Sequence, residues 1–270
     1  MQIHLSYFSG TGNTAWVVRR LAARLQELGD EVTPVSCEAF AAADVDPGAY
    51  DAIGIAFPIY ASFVPRVYRE FLLALPPADG TPLFAVVSAG YCGGDMGWYA
   101  VQPLREKGYR PFLFANVIVA NNFCIPPMAI FPVTPPARLP ARLARAETKI
   151  AQLAGQIHRR EVHMEGMGPL GRALGVLQRL AGEGFETRLF GPFYADEQCT
   201  RCGWCAQNCP VDNIEMAPDG PRFGDHCMLC MRCYSFCPDL AIQAAPQTRN
   251  AARFRRYGGP ENQRYPPHSA

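Results

Sequence analysis

Residues 3–14 read IHLSYFSGTGNT, an apolar run followed by a loop of small hydroxylated residues and glycines. The apolar run predicts a strand over Ile3–Phe8, because short apolar segments bounded by turn residues are typical of buried strands. Residues after the loop have the apolar spacing of an amphipathic helix, which we predict over Asn13–Leu28 with its end near Gly29. A strand, a small-residue loop and a helix therefore open the chain.

The same alternation continues to residue 160. Further strands are predicted over Val32–Ser36, Asp51–Phe57, Pro82–Ala89 and Phe112–Ala120, and further helices over Val64–Leu75, Trp98–Lys107 and Arg138–Arg160. Strands that alternate with helices predict an α/β fold, a parallel sheet with helices on both faces. Five strands fit the doubly wound order 2-1-3-4-5, which places a ligand at the carboxyl ends of the strands.

The loop after the first strand has the chemistry of a monophosphate cradle. Hydroxyl donors are present at Ser9, Thr11 and Thr14, and Gly10 and Gly12 allow backbone N–H groups to turn inward. The following helix directs its positive end at the same place. Since no Gly-Lys-Ser/Thr follows, the loop is not that of a nucleoside-triphosphatase. The alternative is a turn that only caps the helix.

Eight of the eleven cysteines lie in two runs with the same spacing, C-x2-C-x2-C-x3-C-P. The first run is Cys199, Cys202, Cys205 and Cys209, and the second is Cys227, Cys230, Cys233 and Cys237. This spacing is typical of two [4Fe–4S] clusters, in which the fourth cysteine of each run binds the other cluster. One cluster is then bound by Cys199, Cys202, Cys205 and Cys237. The other is bound by Cys227, Cys230, Cys233 and Cys209. Zinc is the alternative, but zinc sites favour paired C-x-x-C spacings and often histidine.

The N-terminus lacks a secretory signal and no apolar run is long enough to span a membrane, so we expect a cytoplasmic protein with reduced thiols. The formal charge is +1 in total, which argues against a general nucleic-acid binder. By segment it is +2 over residues 1–160, −1 over 161–195, −4 over 196–245 and +4 over 246–270. An acidic module is therefore followed by a basic tail, which is either solvated or used for docking.

The cysteine-rich part, residues 193–245, resembles the bacterial-type ferredoxin with two [4Fe–4S] clusters. All eight ligand positions are present, and Ile214 and Ile242 fall where that family places apolar residues against the clusters. The resemblance implies a small α+β domain that transfers electrons at low potential. A purely structural role for the clusters is the other interpretation.

The loop after the first strand resembles the FMN-phosphate loop of flavodoxins over Ser9–Thr14. The resemblance implies FMN, with two more loops beside its ring. Their counterparts are Pro58, Ile59, Tyr60 and Ala61 in one loop, and Ser88, Ala89, Gly90, Tyr91, Gly93 and Gly94 in the other. We expect Tyr60 and Tyr91 to stack on the ring, with the stretch 121–124 approaching from a third side. The alternative is that Tyr60 and Tyr91 are ordinary exposed loop tyrosines that do not stack on the ring.

The two halves together resemble flavodoxin–ferredoxin fusions, with a domain at 1–160, a connecting segment at 161–192, a ferredoxin domain at 193–245 and an extended basic tail at 246–270. The resemblance implies a relay of electrons between two [4Fe–4S] clusters and FMN, with redox partner proteins outside the chain. We name no catalytic residue, and the oligomeric state stays open. The alternatives are an FMN-dependent reductase of a small acceptor such as a quinone or a flavin, a dedicated electron-donor subunit, and a cluster-bearing sensor.

Overall fold

Six parallel strands form the central sheet in the order β2-β1-β3-β4-β5-β6. The computed structural model describes residues 1–60, 63–127, 129–180 and 192–261. The strands are β1 (Gln2–Tyr7), β2 (Glu31–Ser36), β3 (Ala52–Pro58), β4 (Pro82–Ala89), β5 (Arg110–Ile118) and β6 (His163–Met164). The helices of this part are α1 (Asn13–Glu27), α2 (Arg66–Ala74), α3 (Met96–Glu106), α4 (Leu139–His158) and α5 (Pro169–Arg179).

The predicted α/β class and the strand order 2-1-3-4-5 are confirmed, and each predicted helix and strand of residues 1–160 lies within two residues of its observed bounds. The number of strands is different. β6 pairs in parallel with β5, through Leu113 with His163 and Phe114 with Met164. Two residues are too few to give a recognisable period, so this strand, inside the expected connecting segment, leaves no signal in the sequence.

Two apolar cores hold the sheet between its helices. On one face Trp16 and Leu21 of α1 pack with Ile150 and Leu153 of α4, and all four are at most 2 % exposed. On the other face the residues of α2 and α3 pack against the strands, as Tyr68 does. Because β3 is covered on both sides, it reads as a continuous apolar run.

The cysteine-rich part forms a small α+β module. β7 (Tyr194–Ala195) pairs antiparallel with β10 (Ile242–Gln243), and β8 (Ile214–Ala217) forms a hairpin with β9 (Gly220–Phe223). Two short helices, α6 (Trp204–Gln207) and α7 (Arg232–Phe236), each contain one or more cysteines of a run. This confirms the ferredoxin-type α+β expectation for the second part of the chain.

The two parts share buried surface. Met228 and Cys230, from the second cysteine run, belong to the same apolar cluster as Phe8, which follows β1. Phe236 of α7 is 2 % exposed and packs with Ala15 of α1. The module therefore lies against the edge of the sheet at which the parallel strands end.

The segment after residue 245 is not extended as expected, as far as residue 261. It begins with a 3-10 turn over Pro246–Arg249. Phe254 and Tyr257 are 2 % and 3 % exposed and join the core between α1 and α4. Two aromatic side chains three residues apart bury enough apolar area to hold this stretch on the domain despite its basic composition. The remainder of the expected tail, 262–270, lies outside the described residues.

Within the described ranges, no helix combines the length and apolar character needed to cross a bilayer.

Candidate functional site

An open cavity lies at the carboxyl ends of β1, β3, β4 and β5. This is the edge at which doubly wound sheets bind ligands, and it includes the point between β1 and β3 where the strand order reverses. The lining residues are Ser9, Gly10, Thr11, Asn13, Thr14, Pro58, Ile59, Tyr60, Ser88, Ala89, Gly90, Ala120 and Asn122. None of them carries a formal charge.

The loop between β1 and α1 supplies polar groups to this cavity. Ser9, Thr11 and Thr14 are only 1–2 % exposed. The Ser9 hydroxyl accepts a hydrogen bond from the Gly12 N–H at 3.1 Å, and Gly12 adopts a left-handed φ of 95° that favours glycine. These neutral donors lie at the N-terminus of a 15-residue helix, an arrangement that attracts an anion through its N–H groups and dipole.

Side-chain hydrogen bonds connect this loop to two other loops of the cavity. The hydroxyls of Thr14 and Ser88 lie 2.8 Å apart. Asn122, which follows β5, donates from its side-chain amide to the Thr11 hydroxyl at 2.7 Å. The stretch after β5 therefore contacts the phosphate-type loop, and its approach to a bound ring stays a prediction.

The second predicted ring loop is only partly at the cavity. Ser88, Ala89 and Gly90 line it, but Tyr91, Gly93 and Gly94 do not. Tyr91 is 48 % exposed, and its ring packs 5.2 Å from that of Phe131, outside the cavity. Tyr91 therefore does not line this cavity, and its stacking on a bound ring stays a prediction.

The reason lies in how the chain turns after Gly90. The side chain of Asn116 occupies the space in which a Cβ on Gly93 would lie. The same side chain donates a hydrogen bond to the Gly94 carbonyl at 3.3 Å. These glycines therefore serve close packing on β5. In the first ring loop Pro58, Ile59 and Tyr60 line the cavity, whereas Ala61 lies outside the described residues.

Tyr257 is a contributor that the sequence does not reveal. Its hydroxyl donates to the Asn13 side-chain oxygen at 2.6 Å, and the Asn13 amide donates to the Ala120 carbonyl at 3.0 Å. Asn13 is thereby fixed at the start of α1, at the rim of the cavity. The only available signal was an aromatic residue within an otherwise polar, basic segment.

The cysteines surround two other cavities in a crossed arrangement. One cavity is lined by Ile214 and by Cys209, Cys227, Cys230 and Cys233. The other is lined by Ile242 and by Cys199, Cys202, Cys205 and Cys237. Each cavity thus combines three cysteines of one run with the fourth cysteine of the other. Among the described residues, no three His, Cys, Asp or Glu side chains converge as the ligands of a single ion do.

The most buried cysteines of the two runs resist ionisation in the absence of a cation. Burial, with a smaller contribution from neighbouring cysteines, raises the pKa of Cys205 to about 11 and that of Cys230 to about 12. Burial also raises the pKa of Cys233 well above its usual value, with contributions from Cys230, Cys227 and Cys209 of its own cavity and from Cys205 of the other. Soft cations such as iron hold buried thiols in the ionised form, so the donor set suits iron–sulfur clusters.

Arg232 joins the second cysteine run to the loop after β1. It is 1 % exposed and forms a two-pronged ion pair with Glu38, with both N···O distances at 2.8 Å. The same guanidinium donates to the carbonyls of Ser9 at 2.8 Å, Gly10 at 3.1 Å and Asn208 at 3.0 Å. The sequence does not predict this link, because its partners are up to 223 positions away.

Gly10 lines the cavity at the carboxyl ends of the strands, and it is also the point at which that cavity meets the cysteine cavity that contains Cys230. The Cys230 carbonyl oxygen lies 2.6 Å, and its Cβ 3.3 Å, from the position that a Cβ on Gly10 would occupy. The Tyr60 hydroxyl lies closer still to that position. Only glycine fits between these groups.

Comparison with known proteins supports an iron–sulfur domain in the second part of the chain. Residues 193–215, which contain the first cysteine run, match the 4Fe-4S binding domain family. A search of curated proteins gives no match.

Solved structures similar to the first part include flavodoxins. That of Streptococcus pneumoniae TIGR4 has 18 % identity and a TM-score of 0.41, covering 58 % of this chain and 99 % of its own. Flavodoxin 1 of Bacillus cereus has 15 % identity and a TM-score of 0.42, covering 58 % and 96 %. At these scores the likeness carries no argument about ligands, and the flavodoxin-like assignment rests on the strand order.

Proposed function

We propose that this chain is an electron-transfer protein that relays electrons between two [4Fe–4S] clusters and FMN, and on to a redox partner protein. The observation that carries the proposal is the contact at Gly10. There a loop suited to a phosphate touches a cysteine of a cavity suited to a cluster. Electron transfer slows steeply with distance, so direct contact between two cofactor-binding loops favours transfer within one chain.

The crossed grouping of the cysteines supports two clusters rather than one. Each cavity offers four thiols and one buried isoleucine, Ile214 or Ile242. The one carboxylate among the described lining residues, Asp239, accepts a hydrogen bond from the Thr200 hydroxyl at 2.7 Å. Three cysteines of a run surround each cavity, and the proline after the fourth directs that cysteine to the other cavity. The polypeptide orients the thiolates and excludes water from Cys205 and Cys230, which are 8 % and 9 % exposed.

The donor set of the remaining cavity supports FMN. Ser9, Thr11 and Thr14 offer hydroxyls to a phosphate, and α1 directs its positive end at the same point. Ser88, Ala89 and Gly90 end β4 on the opposite side, where a flat ring could be bound by backbone groups. When bound, the clusters would pass single electrons and the flavin would accept one or two.

The relay is tested by one-electron reduction of the full chain after anaerobic loading with iron, sulfide and FMN. A limiting amount of dithionite is added, and absorbance bands of the clusters and of the flavin are followed separately. We expect electrons to redistribute between the bands at a rate that does not depend on protein concentration. A rate that rises in proportion to concentration would show transfer between chains and contradict the relay. The chain loaded with clusters alone is the matched control.

An FMN-dependent reductase acting on a small acceptor is the competing proposal. It needs an aromatic platform for a quinone beside the flavin, and Tyr91, one of the two expected aromatics, lies outside the cavity. Steady turnover of a soluble quinone in the absence of any protein partner would favour the reductase, and the need for a partner would favour the relay.

A further inference from the structure

Tyr60 is held rigidly at the meeting point of the two cofactor-binding loops. Its backbone forms a bridge with Phe63, through N–H···O distances of 3.1 and 2.8 Å. Its ring packs edge-on against that of Phe8, with the centroids 6.5 Å apart and an interplanar angle of 89°. Two contacts therefore fix the side chain, and the position of its hydroxyl is set by the fold.

The hydroxyl of Tyr60 is buried and has no hydrogen-bond partner among the described residues. An unpaired buried hydroxyl costs about 1–3 kcal/mol of stability, and native proteins rarely keep one without a reason. Tyr68 of α2 belongs to the apolar cluster against which Tyr60 packs, and its hydroxyl is paired with Ser6. The missing partner of Tyr60 is therefore expected to be a group that the polypeptide does not supply.

The surroundings of the hydroxyl indicate what that group is. The Tyr60 hydroxyl, the Cys230 carbonyl oxygen and the Cys230 Cβ all crowd the space above Gly10, so the phenol lies next to Cys230. A phenol has an ordinary pKa of about 10, so it keeps its proton at neutral pH and can donate a hydrogen bond. Cluster sulfides and cysteine thiolates carry no proton and can only accept a hydrogen bond.

We propose that the Tyr60 hydroxyl donates a hydrogen bond to a sulfur of the cluster held by Cys209, Cys227, Cys230 and Cys233, and thereby raises the reduction potential of that cluster relative to a chain without the hydroxyl. A donor stabilises the more negative, reduced cluster more than the oxidised one, and hydrogen bonds to sulfur are among the factors that set cluster potentials. The inference rests on the proposed cluster-binding function. Tyr60 acts here as a tuning residue.

The test is a redox titration of anaerobic, fully loaded Tyr60→Phe, with each reduced cluster followed by EPR. We expect the potential of one cluster to move to a more negative value and that of the other to stay unchanged. Tyr109→Phe is the matched control, because it removes a hydroxyl that donates to the Pro76 carbonyl at 2.8 Å, in a part of the sheet without cofactor loops. That variant should leave both potentials unchanged.

Iron content and FMN affinity of Tyr60→Phe provide the outcomes that would overturn the inference. Unchanged potentials with at least tenfold weaker FMN binding would show that the hydroxyl serves the phosphate instead. Iron at half the wild-type content would assign it a structural role in holding the cluster. Wild-type protein that binds no cluster at all would contradict the proposed function itself, so the two failures are distinguishable.

Discussion

Replacing Arg232 by methionine should separate the cysteine module from the loop after β1. The substitution keeps most of the apolar length of the side chain but removes five hydrogen bonds. It leaves the Glu38 carboxylate, whose side chain is 7 % exposed, without its cation. It also leaves the carbonyls of Ser9, Gly10 and Asn208 without this donor.

The size of the effect follows from the burial of the pair. Removing one partner of a buried ion pair costs about 3–5 kcal/mol, because the remaining charge stays buried and unpaired. Removing both charges is far less harmful, since an apolar pair of similar volume is often neutral. We therefore expect Arg232→Met to lower the free energy of unfolding by about 3–5 kcal/mol, and Arg232→Met combined with Glu38→Leu to regain at least half of that loss.

Urea unfolding of the loaded protein under anaerobic conditions measures both values, with cluster absorbance and tryptophan fluorescence as separate probes. The midpoint should move to lower urea for the single variant and return partway for the double variant. A loss below about 1 kcal/mol in the single variant would refute the reasoning, since that is the range of exposed ion pairs. So would a double variant that is less stable than the single one.

Three more expectations concern the cysteines, the phosphate-type loop and the core. The double variant Cys199→Ser, Cys237→Ser should lose about half of the iron, no more than either single variant, because both residues line one cavity. The double variant Cys199→Ser, Cys209→Ser should lose nearly all of the iron, because its two residues line different cavities. If each run instead bound its own cluster, the iron contents of the two double variants would be exchanged. Thr14→Val should weaken FMN binding about 10- to 100-fold by equilibrium titration, the loss of one hydrogen bond to a charged group. Burial lowers the pKa of His4 to about 4, so the unfolded chain takes up the proton first as pH falls below 6.5. Stability should therefore drop by about 1 kcal/mol between pH 8 and 5.5, and the drop should vanish in His4→Phe.

The sheet was predictable because its strands are buried on both faces and read as apolar runs. β3, over Ala52–Pro58, is the clearest case. The two-residue strand β6 was not predictable, since so short a segment has no period. Phe254 and Tyr257 were hidden in a segment whose basic composition suggested a solvated tail.

The site was predictable where one local segment supplies it. Ser9–Thr14 and the cysteine runs carry their chemistry in their spacing. The structure brings every residue of that loop except Gly12 to one cavity, and it brings the cysteines to two others in crossed sets of four. The sequence gives the end of β4 but not the direction of the loop after it, so it did not predict that Tyr91 lies outside the cavity lining. Arg232 and Tyr257 were missed because their contacts join residues more than 190 positions apart.

Cofactor content of anaerobically purified protein tests the central claim most directly, by iron and sulfide assay with the extracted flavin identified chromatographically. The account predicts about eight irons, about eight sulfides and about one FMN per chain, as two cubane clusters and one phosphate site require. About eight irons with no flavin, even after FMN is added, would contradict the relay and leave the α/β domain without its proposed ligand.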